Sequence, residues 1–441
     1  MYLPDYAVKA VEIMQKNGYN IYPVGGCVRN HILGLIPDDY DMTTNALPSQ
    51  VLDVFNEYNT FDSGLKHGTV SVVIDKQVVE ITTHRTETSY TDNRHPDKVI
   101  FTSELTEDLR RRDFTMNAIA YDPAADSFID PYGGIKDIGD RLIRAVGDPV
   151  ERFSEDGLRI LRALRFSSVL DFEIEEYTAL AIHKCRELLK NISPERIYTE
   201  FTKLLCGSNV RNVLSEYYDV IAVFIPEILP MVGFDQQNPH HCYDVYEHTL
   251  VAVEAVEADP ILRWTMFLHD TGKPETFFED ERGGHFYRHY KYSADIAEKV
   301  LSRLRASNDT VSKVTTLVYH HDSVIPETSR SVKRLLMKLG YDMTMLLFKV
   351  NCADAKGQAP FQLEERLLHI EKLKTITNEV ISANDCFSLK DMNISGKDII
   401  ALGVLPGKRI GEILNILLNE VIDGEIENVK ETLIERASEL K

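Results

Sequence analysis

The chain has 441 residues, 44% of them hydrophobic and 27% charged. At about 100–200 residues per domain this excludes a single small module, and the near-average composition excludes global disorder. The 49 Lys and Arg stand against 69 Asp and Glu, a net charge of −20, which speaks against an extensive basic footprint for nucleic acid and leaves only a local one open.

Residues 1–19 read as an amphipathic helix. Ile21–Val24 is a short apolar strand ending in Gly25-Gly26, and Val28–Leu33 then turns helical. Thr69–Ile74 and Val78–Thr82 read as two strands around a tight Asp75-Lys76 turn. From about Asp148 the pattern is almost purely helical, with loop signals at Pro226–Pro239, Gly272–Gly284, Gln358–Pro360 and Gly403–Gly411. The six cysteines are scattered without a CxxC pair, so neither a thiolate zinc site nor a disulfide framework is expected. No apolar run reaches about 18 residues, so the expectation is a cytoplasmic protein with no membrane contact and no evident protein partner.

Chemistry concentrates first in Val24-Gly25-Gly26-Cys27-Val28-Arg29-Asn30, Leu33-Gly34 and Asp38-Asp39-Tyr40-Asp41. Paired glycines after a strand let backbone N–H groups approach a phosphate, and the following helix adds positive potential. Asp39 and Asp41 alternate, so an extended segment points both carboxylates to one side, where they can share divalent ions. Glu80, in the second hairpin strand, can add a third. The bland reading is an ordinary turn and a solvated loop, and either piece alone would support it.

In this order and spacing the segment resembles the nucleotidyltransferases that add CCA to tRNA ends and their poly(A) polymerase relatives, whose pattern is GGxVRDxLLG followed by DxD. Asn30 stands where the family usually has Asp. The resemblance continues through His84-Arg85-Thr86-Glu87 to Tyr90, through Asp92-Asn93-Arg94-His95-Pro96, and through Asp108–Ala118. It implies a flexible loop over 84–96 that helps switch from C to A addition, and a nucleotide contact by Arg112 just before Asp113-Phe114-Thr115. Three guanidiniums at Arg110–Arg112 suit a triphosphate; a solvated basic helix end is the plainer alternative.

Asp156, Arg159, Arg162 and Arg165 recur every three residues, so on one helix each neighbours the next. The stripe drifts about 60° per step, so the four cannot all touch one base. Asp156 can accept from the amino group shared by cytosine and adenine, Arg159 can donate to ring acceptors, and Arg162 and Arg165 are left for triphosphate or packing. This matches the family's EDxxR base-reading element; a salt-bridged amphipathic helix is the alternative. Residues 84–170 hold 13 Lys and Arg against 16 Asp and Glu, so the acid excess lies largely elsewhere.

A second constellation comprises His248, His269-Asp270, His289, His320-His321 and Asp354. It resembles an HD-type metal-dependent phosphohydrolase, whose ligand order carries to His248, His269, Asp270 and Asp354, with His289, His320 and His321 as further second-metal or phosphate ligands. Single buried histidines are usually structural; the set is what points to metal. Residues 391–432, with Ser395-Gly396-Lys397-Asp398 and Pro406–Gly411, resemble the family's tail, although capped structural turns read equally well.

The resemblance implies an α+β protein: a polymerase-β-like nucleotidyltransferase head with a small mixed sheet over 1–145, then an elongated all-α body. The body divides into a helical neck with base-selecting and RNA-binding elements (146–225), an HD-type domain (226–355) and a helical tail expected to bind tRNA (356–441). The implied activity is template-independent, Mg²⁺-dependent addition of C, C and A to tRNA from CTP and ATP. The catalytic residues are Asp39, Asp41 and Glu80, and the nucleotide is held by Gly26, Arg29, Arg112, Asp156, Arg159, Arg162 and Arg165. A second divalent metal (Mn, Ni, Fe or Zn) would serve the HD-type site. Alternatives are a poly(A) polymerase or A-adding enzyme, an HD phosphohydrolase with a degenerate head, and an RNA-binding scaffold.

Overall fold

The alternation of apolar residues in Thr69–Ile74 sets the head's sheet: Val70, Val72 and Ile74 are fully buried while their neighbours face outward. The computed structural model describes residues 1–37, 39–61, 67–88, 98–237, 242–281 and 283–441. Asp38, Tyr90 and Asp92–Pro96 of the sequence motifs lie outside the described residues. The chain divides into two units, Met1–Pro226 and Glu227–Lys441.

In the first unit, α1 (Asp5–Lys16) precedes β1 (Ile21–Pro23), α2 (Gly26–Ile32) and β2 (Asp41–Thr44). Then come β3 (Asn59–Phe61), β4 (Thr69–Ile74) and β5 (Gln77–Thr83). The five strands form a mixed sheet in the order β1-β2-β5-β4-β3, in which only β2 and β5 run parallel. The β4–β5 turn is a two-residue loop with Asp75 at φ 51 and Lys76 at φ 68, the left-handed pair that matches strand twist. The parallel register places Asp41 opposite Glu80.

Helices α3 (Pro149–Glu155), α4 (Leu158–Leu170) and α5 (Pro194–Leu205) follow. Asp148 caps α3 by accepting from the N–H groups of Val150 and Glu151. The expected continuous helix through Asp156 is broken: Asp156 ends α3 at φ −138, ψ 105, and α4 starts two residues later. Its carboxylate accepts from the Leu158 N–H at 3.0 Å, so the side chain competes with helical pairing at that point. Asp156 is therefore not on the helix face that carries Arg159, Arg162 and Arg165.

The second unit contains α6 (Val245–Ala255), α7 (Pro260–Leu268), β6 (Phe277–Asp280), β7 (Gly283–Phe286) and α8 (His289–Arg303). It continues with α9 (Asn308–His320), α10 (Ser329–Lys356, broken at Gly340) and α11 (Leu363–Ser382). The β6–β7 hairpin corrects the all-α expectation for the body. Its strands pair antiparallel from Phe277↔Phe286 to Asp280↔Gly283, largely inside the Gly- and Pro-bearing stretch that reads as a loop in the sequence. Trp264, Phe267 and Phe348 lie in the unit's fully buried interior. Near the end, Ser395 and Asp398 form a reciprocal capping box on the helix Gly396–Ala401. There the capped structural turn explains the residues.

Candidate functional site

The turn at Gly25 and the helix that follows position the head's site. Gly25 has φ 75 and ψ −125, a conformation disfavoured for any residue with a Cβ. An added Cβ would also lie 3.0 Å from Arg112 Nη1, so glycine lets that guanidinium reach the turn. Helix α2 starts at once, and Arg29, within it, donates from Nη1 to Asn117 Oδ1 at 2.7 Å and from Nε and Nη2 to Asn30 Oδ1. Asn30 thus still orients the arginine, despite departing from the usual Asp.

A cleft of about 510 Å³ gathers Gly26, Arg29, Asp39, Asp41, Arg112, Asp156, Arg159, Arg162 and Arg165. Glu80 does not line it but adjoins Asp41 across the β2–β5 pair. Arg111 also lines the cleft, whereas Arg110 is exposed beside Glu107. The three adjacent arginines therefore do not act as one cluster. The buried Asp108 holds Arg111 at 2.8 Å and Arg112 at 3.4 Å, and accepts from Thr43 Oγ1 on β2. Burial alone would raise its carboxyl, but the two guanidiniums outweigh that and hold it below the ordinary range.

The electrostatics of the cleft are split. Asp41 opens to solvent, yet the surrounding walls desolvate its carboxyl, and Asp39 and Glu80 add repulsion; together they push it up to about 6 against the pull of Arg112. Opposite, burial draws the Arg29 guanidinium down to about 10, with Asp113 opposing and Arg165 and Arg162 adding repulsion. Arg29, Arg162 and Arg165 lie 5.0, 5.4 and 4.1 Å from the Phe166 ring centroid. Crowded cations facing crowded carboxylates suit a ligand that carries phosphate and divalent cation together. An all-carboxylate donor set fits a hard ion such as Mg²⁺.

Contacts far apart in sequence complete the cleft, and sequence reasoning missed them. Asp113 accepts from Arg162 Nε at 2.8 Å and Nη2 at 2.5 Å, and from the Phe114 N–H and Asn117 Nδ2. Arg196 on α5 donates to Asp156 Oδ2 at 3.2 Å. Arg159 donates from Nη1 to Glu155 Oε2 and Arg152 O, and from Nη2 to Arg111 O. Arg165 pairs with Glu200 at 3.0 Å. Arg162 and Arg165 line the cleft and are at the same time engaged by the buried acids Asp113 and Glu200.

The second unit brings His248, His269 and Asp354 into one group and Asp270, His289 and His321 into another, each with its donor atoms within 4.8 Å. Asp270 joins them: Oδ2 lies 3.2 Å from both His248 and His269 Nε2, and Oδ1 lies 3.4 Å from His289 and 3.6 Å from His321. Each histidine's Nδ1 lies against a backbone carbonyl, those of Gly357, Met266, Phe286 and Val318 at 2.6–2.9 Å. That contact places the proton on Nδ1 and turns the Nε2 lone pair inward. At Gly357 an added Cβ would lie 2.6 Å from His248 Nδ1, so only glycine allows this carbonyl its approach.

The Nε2 atoms then face each other at 3.1 Å, His248 with His269 and His289 with His321. Two lone pairs at that distance repel unless a proton or a metal ion lies between them, and with the proton displaced the mixed N/O donors fit Mn, Fe, Ni or Zn. Burial disfavours charge on His248 and His269, but Asp270 and Asp354 outweigh it and draw both upward, His269 to about 10. Burial pushes His289 down to about 4. Lys273 Nζ lies 2.7 Å from Asp270 Oδ2, yet neither Asp270 oxygen receives a well-directed hydrogen bond. His320 is a correction: its Nδ1 faces Ser323 Oγ at 3.4 Å, because adjacent helical residues project about 100° apart.

No helix among the described residues is long and apolar enough to cross a membrane. Residues 21–144 match the poly A polymerase head domain, 171–230 the probable RNA and SrmB-binding site of polymerase A, and 285–437 the putative tRNA nucleotidyltransferase domain 2. The CCA-adding enzyme of Enterococcus faecalis is 33% identical over 97% of this chain and 94% of its own. The crystal structure of the Bacillus stearothermophilus CCA-adding enzyme in complex with CTP superposes with a TM-score of 0.75 at 30% identity, covering 100% of this chain and 98% of that one. The Thermotoga maritima CCA-adding enzyme complexed with tRNA shares the fold, with a TM-score of 0.59 at 19% identity. Taken with 35% identity to the CCA-adding enzyme of Ligilactobacillus salivarius over 99% of this chain and 98% of the relative, these matches show that the chain belongs to the CCA-adding enzymes of the poly(A) polymerase/tRNA nucleotidyltransferase family.

Proposed function

We propose that the protein adds C, C and A to the 3′ end of tRNA, using CTP and ATP with Mg²⁺ held by Asp39, Asp41 and Glu80. The observation that carries this reading is the cleft in which nine of the sequence-derived nucleotide and metal residues converge. The tRNA 3′-oxygen forms a bond to the α-phosphorus as the bond to pyrophosphate breaks, and the hydroxyl proton is released. Mg²⁺ bound there supplies charge neutralisation for that exchange. Arg29 and Arg112 offer guanidiniums to the triphosphate beside the α2 N-terminus.

Base choice falls to Asp156 and Arg159. The three bonds to Arg152, Glu155 and Arg111 leave Arg159 its Nε–H and one Nη2–H. Asp156 keeps acceptor capacity beside its bonds to Leu158 and Arg196. Fixed in place, they accept the amino-bearing edge of cytosine or adenine and set an acceptor oxygen of uracil against the carboxylate. The four-part division of the chain, with a neck over 146–225 and a tRNA-binding tail over 356–441, is part of this proposal, as is a cytoplasmic location.

The test is incorporation into tRNA lacking CCA. With CTP alone the product gains two residues, with both nucleotides three. Extension by ATP alone would instead favour an A-adding enzyme or poly(A) polymerase. In the same assay, Arg159→Ala admits UTP at least about 10-fold more readily, the order expected for losing hydrogen bonds from a charged donor; unchanged discrimination removes the templating role.

The inward-facing imidazoles support a second activity, phosphoester hydrolysis at an HD-type centre held by His248, His269, Asp270 and Asp354, with His289 and His321 completing a second metal position. Metal bound there supplies hydroxide near neutral pH. Water's oxygen joins phosphorus as the ester P–O bond breaks, and the leaving oxygen takes the proton. Purified protein is expected to retain up to two metal equivalents per chain, and Asp270→Asn to lose both metal and hydrolysis of a cyclic-phosphate RNA end while keeping CCA addition. Metal-free wild-type protein after reconstitution with Mn²⁺ overturns this reading.

A further inference from the structure

The His/Asp centre opens onto a cleft of about 480 Å³ whose rim includes His285, Tyr287, Arg288 and Arg366. This volume lies in the range of small-molecule sites and is far too small for folded RNA. At its floor the Asp270 oxygens, 1% exposed as a residue, lack a well-directed hydrogen bond. Resting on the hydrolytic reading above, we infer that the rim recognises a nucleoside phosphate: Arg288 and Arg366 clamp the phosphoryl group over the centre, and Tyr287 stacks on the base.

Three independent features point that way. Arg288 sits at φ 62, ψ 20, a left-handed conformation that costs a side-chain-bearing residue energy and tends to persist where function holds it. It is exposed at the cleft, and no acid pairs with it among the described residues. Among the described residues Arg366 donates only to the neutral Gln362 Oε1 at 3.1 Å. In a chain with a net charge of −20, two guanidiniums without carboxylate partners at one mouth mark an anion position. Lys273, by contrast, is spent on Asp270 and Gln236 Oε1.

The third feature is aromatic. His285 and Tyr287 stack with centroids 5.5 Å apart and planes at 17°, and the His285 ring is steadied by Asp280 Oδ1 at 2.9 Å. Tyr287 is 67% exposed, so its outer face is open to a base, a sequence-tolerant contact. The β6–β7 hairpin carries His285 and the turn into α8 carries Tyr287 and Arg288. The element that broke the all-α expectation therefore supplies the rim.

The experiment uses the full-length, Mn²⁺-loaded protein in an Arg112→Ala background, which removes a head-cleft guanidinium that does not line the rim and so weakens competing nucleotide binding there. Cytidine 3′-monophosphate and inorganic phosphate are titrated calorimetrically, and metal content is measured on every variant. Arg288→Gly relieves the left-handed strain and so should fold at least as well as wild type. It is expected to weaken both ligands about 10-fold or more, with metal content unchanged. Tyr287→Ala should leave phosphate affinity intact and remove at least about 5-fold of the nucleotide's advantage over phosphate. Unchanged affinities in both variants, with metal retained, overturn the rim while the metal centre stands. Absence of metal from the wild type overturns the hydrolytic reading and the rim with it. A short RNA ending in a 3′-phosphate identifies the source: tighter binding than the mononucleotide assigns an RNA end, equal binding a free nucleotide.

Discussion

Asp41→Asn is expected to lower CMP incorporation by about 10³-fold or more, the scale on which loss of a preorganised transition-state charge partner acts, while tRNA retention on a filter stays within about 2-fold. Stability separates this from simple damage. The folded carboxyl is pushed up to about 6 from an ordinary 3.8, so its ionisation works against the fold: the penalty is absent below pH 3.8 and complete above about 6. In chelator at pH 7.5 the variant should therefore melt no lower than wild type, and any advantage should fade as pH falls through that window. Mg²⁺ should raise the wild-type Tm by binding the folded state and leave the variant's Tm nearly unmoved. Retained turnover, or an equal Mg²⁺ response in both proteins, sinks the role given to Asp41.

What the sequence made legible is local. Gly25-Gly26 between an apolar strand and a helix, the Asp39/Asp41 alternation and the Thr69–Ile74 pattern each depend on neighbours within a few residues; the first and last have their elements in the structure, and Asp39 and Asp41 line one cleft, although the strand begins only at Asp41. What stayed hidden is long-range or orientational. Asp113 meets Arg162 across 49 residues, and Asp156 meets Arg196 across 40, distances at which spacing carries no signal. Asp156 matched the helical period of the arginines but leaves the helix by bonding its own downstream N–H. His320 and His321 are indistinguishable as letters; only the helix phase sends one into the metal group and the other to Ser323. The four carbonyls that fix the imidazoles are backbone atoms, and the only residue-level trace of any of them is Gly357.

The Asp113–Arg162 contact joins the segment carrying Arg112 to α4, and Asp113→Ala should be among the most destabilising single changes in the chain. The carboxylate side chain is 9% exposed and accepts four hydrogen bonds, from Phe114 N, Asn117 Nδ2 and two nitrogens of Arg162. Removing it leaves a guanidinium facing Arg29 and Arg165 without its counter-charge, and strands the Asn117 amide that also orients Arg29. Breaking a buried pair from one side costs about 3–5 kcal/mol, so the urea midpoint should fall with an unchanged slope. Arg162→Ala should cost less, because its side chain is 31% exposed and Asp113 keeps two neutral donors. The pH dependence gives a second check. Burial alone would raise the Asp113 carboxyl, but Arg162 and Asn117 hold it well below 3.8. The contribution is therefore complete above that value and lost as pH falls toward the depressed folded one. Wild type and Asp113→Ala should accordingly converge in stability on acidification; a gap that stays constant from neutral pH to below pH 3 would assign the loss to packing instead of charge.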